Sequence, residues 1–240
     1  MRAREAPEPE GKGSGEELLD KAFRQEGLEL SPRQKEALSL YLRELTRWRQ
    51  AINLTGFKRE DAMVRELLVA SLPFLEPELK GVPWGLKSRE EARGLRVLDL
   101  GSGAGVPGTL IKVLRPELEL FFLEASQKKA NFLRHIARLL FSEGAEVLQG
   151  RAEELARKEE LKESFSVVTA RALGPLPRAA SLSRPFLSPS GYFLLRKGRR
   201  SKEEIERAEA LLSKEGLTLI EIKPLPPPSG GFLLVARRAV

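Results

Sequence analysis

The chain has no cysteine, one histidine, two tryptophans and two tyrosines in 240 residues. Without thiols there is no disulfide framework, no thiolate zinc site and no cysteine nucleophile; no metal site is expected. No apolar run approaches the roughly 18–20 residues that cross a bilayer, so no membrane span is expected. The first residues, MRAREAPEPEGKGSGEE, have no apolar stretch behind their charges, which does not read as a secretory signal; a cytoplasmic location is expected. Acidic residues are the scarcer charge, 34 against 41 Lys and Arg, for a net charge of +7. A basic balance suits polyanionic partners, or reflects nothing more than a basic surface; the placement of the charges decides. What is present, 41% hydrophobic and 31% charged residues, belongs to a globular chain that buries a core.

The chain divides into three parts. Residues 1–15, rich in Pro, Gly and charge, read as a disordered tail. Residues 16–92 read as a helical region and linker. Leu18, Leu19 and Phe23 form a short stripe, Ser31-Pro32 is a helix start, and Ala37, Leu38, Leu40, Tyr41, Leu45 and Trp48 recur at helical intervals. Another helix is predicted from about Arg59 to Leu72, ending before Pro73, and 77–94 read as linker. Residues 93–240 alternate strands and helices. Strands are predicted at 96–100, 118–124, 145–149, 165–170, 191–197, 217–222 and 232–237, with helices at 107–114, 126–142 and 201–214. This is an α/β fold, a Rossmann-like, mostly parallel sheet preceded by a small helical domain. No helix separates the last two strands, so the final one is predicted to be an antiparallel edge strand.

The strongest motif is VLDLGSGAGVPG, 97–108. A buried strand delivers Asp99, then Gly101, Gly103 and Gly105 let the backbone turn and approach a ligand. The string fits both the dinucleotide fingerprint and the Asp-x-Gly-x-Gly-x-Gly turn of S-adenosylmethionine enzymes. Asp99 separates them, because an acid before the turn suits the cationic amino group of S-adenosylmethionine and repels a pyrophosphate. Glu124 ends the second strand, where a carboxylate accepts from ribose hydroxyls or caps the helix that follows. After the third strand, Ala152 and Glu153 are placed for an adenine; acids opening a helix read equally well there.

Asn53-Leu54-Thr55, the glycine motif with Pro107-Gly108, Arg115-Pro116, Lys128-Lys129 with Phe132-Leu133, Gly150-Arg151-Ala152-Glu153, Ala170-Arg171-Ala172 and Lys197-Gly198 follow one another in a recognisable order. Over about residues 16–240 the chain resembles the bacterial small-subunit ribosomal RNA guanine-N7 methyltransferases, the glucose-inhibited division protein B family. The resemblance implies transfer of a methyl group from S-adenosylmethionine to a guanine N7 in the 530 loop of 16S ribosomal RNA. It implies cofactor contacts at Gly101, Val106, Ala152, Glu153 and Arg171. One stretch departs from the family's Arg-His-x-x-Asp-Ser: here Arg65 is kept, while Glu66 and Val69 replace the His and Asp.

The chemistry is compatible. Guanine N7 carries an in-plane lone pair and no proton, so alignment suffices and no base is obligatory. His135, in a basic run, reads as a surface residue. Cytosine C5 methylation lacks its cysteine, and the Asn/Asp-Pro-Pro-aromatic motif of amino methylation is replaced by Thr169-Ala170-Arg171-Ala172. Arg171, at the carboxyl end of the sheet, is the candidate catalytic residue, expected to position the guanine or to hold the cofactor and a nearby phosphate, or else to pair with Glu153 or Asp99. Lys128, Lys129, Arg134 and Arg138 on one helix, Arg196, Lys197, Arg199 and Arg200 after the fifth strand, and Arg65 form a candidate RNA rim. Arg43, Arg47, Arg49, Lys58 and Arg59 add basic charge among acids. The expected partner is 16S ribosomal RNA or the small ribosomal subunit, met by a monomer. The rivals are a methyltransferase for a small molecule or protein, an RNA-binding assembly factor with a degenerate cofactor site, and an NAD-dependent oxidoreductase.

Overall fold

The structure is a computed structural model that describes residues 15–76, 79, 82–83, 94–199, 202–226 and 230–239. The tail expected at 1–15, apart from Gly15, most of the 77–94 linker with Trp84, Arg200 and Ser201 lie outside the described residues.

Three helices come first: α1 (Gly15–Gln25), α2 (Pro32–Trp48) and α3 (Glu60–Met63). The start of α2 is as predicted. Ser31 accepts from the Gln34 N–H at 3.3 Å while Gln34 Oε1 accepts from the Ser31 N–H at 2.8 Å, and Pro32 occupies the first turn. The helix expected over 59–72 departs from its α-helical register. After α3 the chain widens into a π turn, Val64–Leu68, then tightens into a 3-10 segment, Val69–Leu75, with Pro73 inside it. Tertiary partners explain this below.

The rest runs β1 (Arg96–Leu100), α4 (Gly108–Leu114), β2 (Glu119–Glu124), α5 (Gln127–Leu140), β3 (Ala145–Gln149), α6 (Ala152–Leu155), β4 (Phe165–Arg171), α7 (Leu176–Ser183), β5 (Leu187–Lys197), α8 (Lys202–Glu206), α9 (Ala208–Ser213), β6 (Leu217–Pro224) and β7 (Phe232–Arg238). The sheet order is β3-β2-β1-β4-β5-β7-β6. The first five strands are parallel and β7 is antiparallel to both neighbours, which confirms the predicted class. One detail differs: β7 sits between β5 and β6, so β6 is the edge strand. The run FLLVARR is buried at five of seven positions, as an interior strand must be, whereas β6 is mostly half-buried.

The two faces of the sheet pack separate cores. One joins α2, α4, α5 and the 64–75 segment to Val97, Leu120, Phe122, Val167, Leu194 and Val235. The other joins α6, α7 and α9 to Leu98, Leu100, Phe121, Val168, Phe193 and Leu195. Alternation along β1 therefore sends Val97 and Asp99 toward the helical region and Leu98 and Leu100 away from it. The helical region shares its core with the sheet, so it is fixed relative to the strand ends. Helix α7 was not predicted, because it is short, proline-bounded and carried by alanines rather than by an apolar stripe.

Candidate active site

Strands β1, β2 and β4 end side by side, and parallel α/β sheets bind ligands beyond those ends. The glycine turn follows β1. Gly101, Gly103 and Gly105 have φ of +70°, +56° and +86°, which L side chains rarely adopt. A methyl group on Gly101 would also lie 2.8 Å from Leu173 Cδ1, and one on Gly108 would lie 2.6 Å from Phe122. The turn is pinned to β2, since the Gly101 and Ser102 N–H groups both donate to the Leu123 carbonyl, at 2.9 and 3.1 Å. Val106 is buried behind it.

Asp99 supports the turn from inside. It is 1% exposed; Oδ2 accepts from the Gly108 N–H at 3.2 Å and Oδ1 from the Thr169 hydroxyl at 3.2 Å. The first bond places a carboxylate at the N-terminus of α4. Burial dominates and raises its pKa to about 6, against the opposing pull of Gly108, Thr169 and the Arg171 charge.

Glu124 ends β2 beside the glycine turn. Oε2 accepts from the Gly103 N–H at 2.9 Å and Oε1 from the Ser126 N–H at 2.8 Å. The expected helix cap is thus real, but Glu124 makes it; the Ser126 side chain does not. Each carboxylate oxygen keeps lone-pair capacity for another donor. A fixed acid, a glycine turn that gives it an N–H, and Ala152 and the exposed Glu153 at the end of β3 together fit an adenosyl group. Glu124→Ala is expected to weaken S-adenosylmethionine binding about tenfold or more, since a charge-assisted hydrogen bond is worth about 1.5–3 kcal/mol. Calorimetric titration checks this, and an unaltered dissociation constant would remove Glu124 from the cofactor site.

The end of β4 corrects two expectations. Arg171 turns toward the helical region rather than into an open cleft. Its Nη1 donates to the Leu67 carbonyl at 3.0 Å and the Ser71 hydroxyl at 2.6 Å, and its Nη2 to the Glu66 carbonyl at 2.8 Å. The two carbonyls belong to the π turn and are satisfied from outside the helix, which is why the predicted regular helix does not form there. Arg171 pairs with neither Asp99 nor Glu153, though burial lowers its pKa to about 10. Lys197, expected in the RNA rim, is 8% exposed; it donates to the Gly174 carbonyl at 2.8 Å and pairs with Glu204 at 2.6 Å. It therefore holds the loop after β4. Between these two anchors Ala172 is held at φ +52°, a strained conformation for a residue with a Cβ.

The other basic residues vary in exposure. Lys128 and Arg138 are exposed on α5, Lys129 and Arg134 are half-buried, and Arg134 donates to Asn131 at 3.0 Å. Arg196 is half-buried and donates to the Gly230 carbonyl at 3.2 Å, while Arg199 is exposed. Arg65 is exposed and pairs with Asp61 at 2.8 Å. His135 is not a plain surface residue. Its Nε2 lies 2.7 Å from Glu44 of α2 and its ring 5.4 Å from that of Trp48, so it ties α5 to α2.

Two contributors escaped the sequence reading. Tyr41, read only as part of the α2 stripe, is fully buried and donates its hydroxyl to the Ala104 carbonyl at 2.9 Å. It fastens α2 to the glycine turn, and burial raises its pKa well above the usual tyrosine value. Ser71 is the second. A hydroxyl among apolar residues was the available signal for both.

The family model described as rRNA small subunit methyltransferase G matches residues 34–226, across both the helical region and the sheet. The chain belongs to the rRNA small subunit methyltransferase G family. It is 34% identical to the ribosomal RNA small subunit methyltransferase G of Geobacter sp. strain M21 over 91% of this chain and 94% of that one. It is 38% identical to that of Caldanaerobacter subterraneus subsp. tengcongensis over 70% of this chain and 65% of the relative. A solved 16S rRNA (adenine(1408)-N(1))-methyltransferase from Catenulisporales acidiphilia shares the fold, with a TM-score of 0.52 and 12% identity over 63% of this chain and 88% of that one. A member of the rRNA small subunit methyltransferase G family with this turn and acid is an S-adenosylmethionine-dependent methyltransferase.

Proposed function

We propose that the enzyme methylates N7 of a guanine in the 530 loop of 16S ribosomal RNA, as free RNA or in the small ribosomal subunit. The observation that carries this reading is the family match, which extends through the helical region and the sheet alike. S-adenosylmethionine supplies a sulfonium-bound methyl group. Gly101, Gly103, Gly105 and Val106 shape the turn that receives the cofactor, with Asp99 beneath it, Glu124 at the ribose, and Ala152 and Glu153 at the adenine. Arg171 is a positioning residue that holds the 66–71 segment over the strand ends.

The chemistry of these residues agrees with N7 as target. The carboxylates of Asp99 and Glu124 accept main-chain N–H groups, and His135 is engaged with Glu44. Nothing in that set is needed to remove a proton, and guanine N7 has none to lose. Lys128, Arg138, Arg199 and Arg65 offer phosphate contacts, with Lys129, Arg134 and Arg196 behind them. Residues 16–92 act as the substrate-facing helical unit and 93–240 as the methyltransferase unit of a cytoplasmic monomer.

The test is incubation with methyl-labelled S-adenosylmethionine and unmodified 16S RNA, free and within small subunits, followed by borohydride and aniline scission. One cut within the 530 loop is expected. Label elsewhere would move the target, and no label despite bound cofactor would reject ribosomal RNA.

A further inference from the structure

A concavity of about 810 Å³ opens among α1, the end of α2 and the start of α3, apart from the strand ends. Its wall carries five cations, Lys21, Arg49, Lys58, Arg59 and Arg65, against two acids, Glu60 and Asp61. Asp61 is ion-paired, and Glu60 is exposed. Asp61 lies between Arg59 and Arg65, at 2.9 and 2.8 Å. The Glu60 carboxylate lies against Gly15 at the start of α1, 2.6 Å from where a Cβ would stand. Lys21 and Lys58 are exposed and take part in no ion pair among the described residues. Arg49 spends Nη2 on the Lys58 carbonyl at 3.0 Å, and its Nε is buried without a partner.

A second observation stands beside the cations. Phe57, next in the chain to Lys58, is 37% exposed. Among the described residues only Leu139 is a large hydrophobic side chain as open to solvent, and the chain has little aromatic content. Its loop is shaped locally, since the Phe57 N–H donates to the Thr55 hydroxyl at 3.2 Å. Nothing in the fold requires an aromatic ring in solvent there. An exposed ring flanked by Lys and Arg is the pairing that holds single-stranded nucleic acid, with a base on the ring and phosphates on the cations.

We propose that this concavity and the 55–59 loop form a docking site for a single-stranded RNA segment flanking the target, with an unpaired base stacked on Phe57 and backbone phosphates on Lys21, Arg49 and Lys58. The inference rests on the ribosomal RNA reading. It adds a second anchor, reaching the strand ends through Arg65 and the adjoining π turn, whose carbonyls bind Arg171. Such an anchor raises affinity and sets the approach of the RNA without touching the reacting atoms.

The test uses the full chain with unmodified 16S RNA and small subunits, and the variants Phe57→Ala, Lys21→Gln/Lys58→Gln and the control Arg157→Gln/Lys158→Gln on the exposed turn after α6. Phe57→Ala is expected to weaken RNA binding about tenfold, the contribution of one stacked base. The Lys21/Lys58 variant is expected to lower the slope of log affinity against log salt by about 1.4, two phosphate contacts on a single strand. S-adenosylmethionine affinity and kcat at saturating RNA stay unchanged in all. In Phe57→Trp, RNA is expected to quench the added indole fluorescence. Unchanged RNA affinity and salt slope in these variants, with wild type methylating 16S RNA normally, would overturn the docking site and leave the function standing. Wild type that neither binds nor methylates 16S RNA would instead overturn the functional reading.

Discussion

Arg171→Ala is expected to lower kcat/KM on ribosomal RNA about a hundredfold and to destabilise the protein by about 3–5 kcal/mol. The stability figure follows from leaving buried hydrogen-bond partners unsatisfied, at about 1–3 kcal/mol each. Two acceptors lose their arginine donor, the Glu66 carbonyl and the Ser71 hydroxyl, and the Leu67 carbonyl keeps only the Ser71 hydroxyl. Water does not readily replace the arginine at Leu67 and Ser71, which are buried. The activity figure follows from geometry, because a displacement of about 1 Å in a positioned site costs about a hundredfold. Thermal unfolding and single-turnover methylation measure the two effects.

Two companions separate a positioning role from general loss of fold. Ser71→Ala removes one acceptor of the same network and keeps the arginine. It is expected to lower activity less, in the same direction, while the protein remains folded at assay temperature. The dissociation constant for S-adenosylmethionine is the second readout. If Arg171 holds the helical segment, Ser71→Ala raises KM for RNA and leaves cofactor binding intact. If turnover and cofactor affinity survive Arg171→Ala as well, the arginine has no part in the reaction.

The sheet was legible because its signal is local. RVLDL, LELFFLE and FSVVTA are short buried runs, each followed by a turn or helix start, and parallel strands covered on both faces read that way. The glycine turn was legible for the same reason, since a positive φ at Gly101, Gly103 and Gly105 demands glycine within a few residues of a strand. What could not be read is what depends on partners far along the chain. Arg171 and Leu67 are 104 residues apart, Tyr41 and Ala104 are 63, and His135 and Glu44 are 91. The π turn at Val64–Leu68 has no local signature, and its carbonyls are taken by an arginine from β4. Lys197 shows the same limit. In sequence it belongs to a basic run, and only the packed fold reveals that Gly174 and Glu204 surround it.

Asp99→Asn is expected to make the protein more stable above pH 6 by about 3 kcal/mol while weakening S-adenosylmethionine binding. The buried carboxyl keeps its proton to about pH 6, because burial penalises its charge, whereas an unfolded aspartate ionises near 3.8. Between those values the folded state binds more protons than the unfolded state, so wild-type stability falls as pH rises from about 4 to 6 and then levels off. A displacement of about two pH units corresponds to about 3 kcal/mol. Asparagine carries no such charge and still fits the bonding. Its carbonyl accepts from the Gly108 N–H, and its amide donates to the Thr169 hydroxyl, which turns its own proton toward the Leu98 carbonyl 3.5 Å away. The ionised carboxylate is thus a stability cost, and the proposed return is its attraction for the cationic amino group of the cofactor. Denaturant unfolding from pH 4 to 8 for both proteins measures the first effect. The gap is expected to open across pH 4–6, and parallel profiles would show that Asp99 does not titrate in that window. Calorimetry at pH 8 measures the second, and equal affinities would confine Asp99 to capping α4.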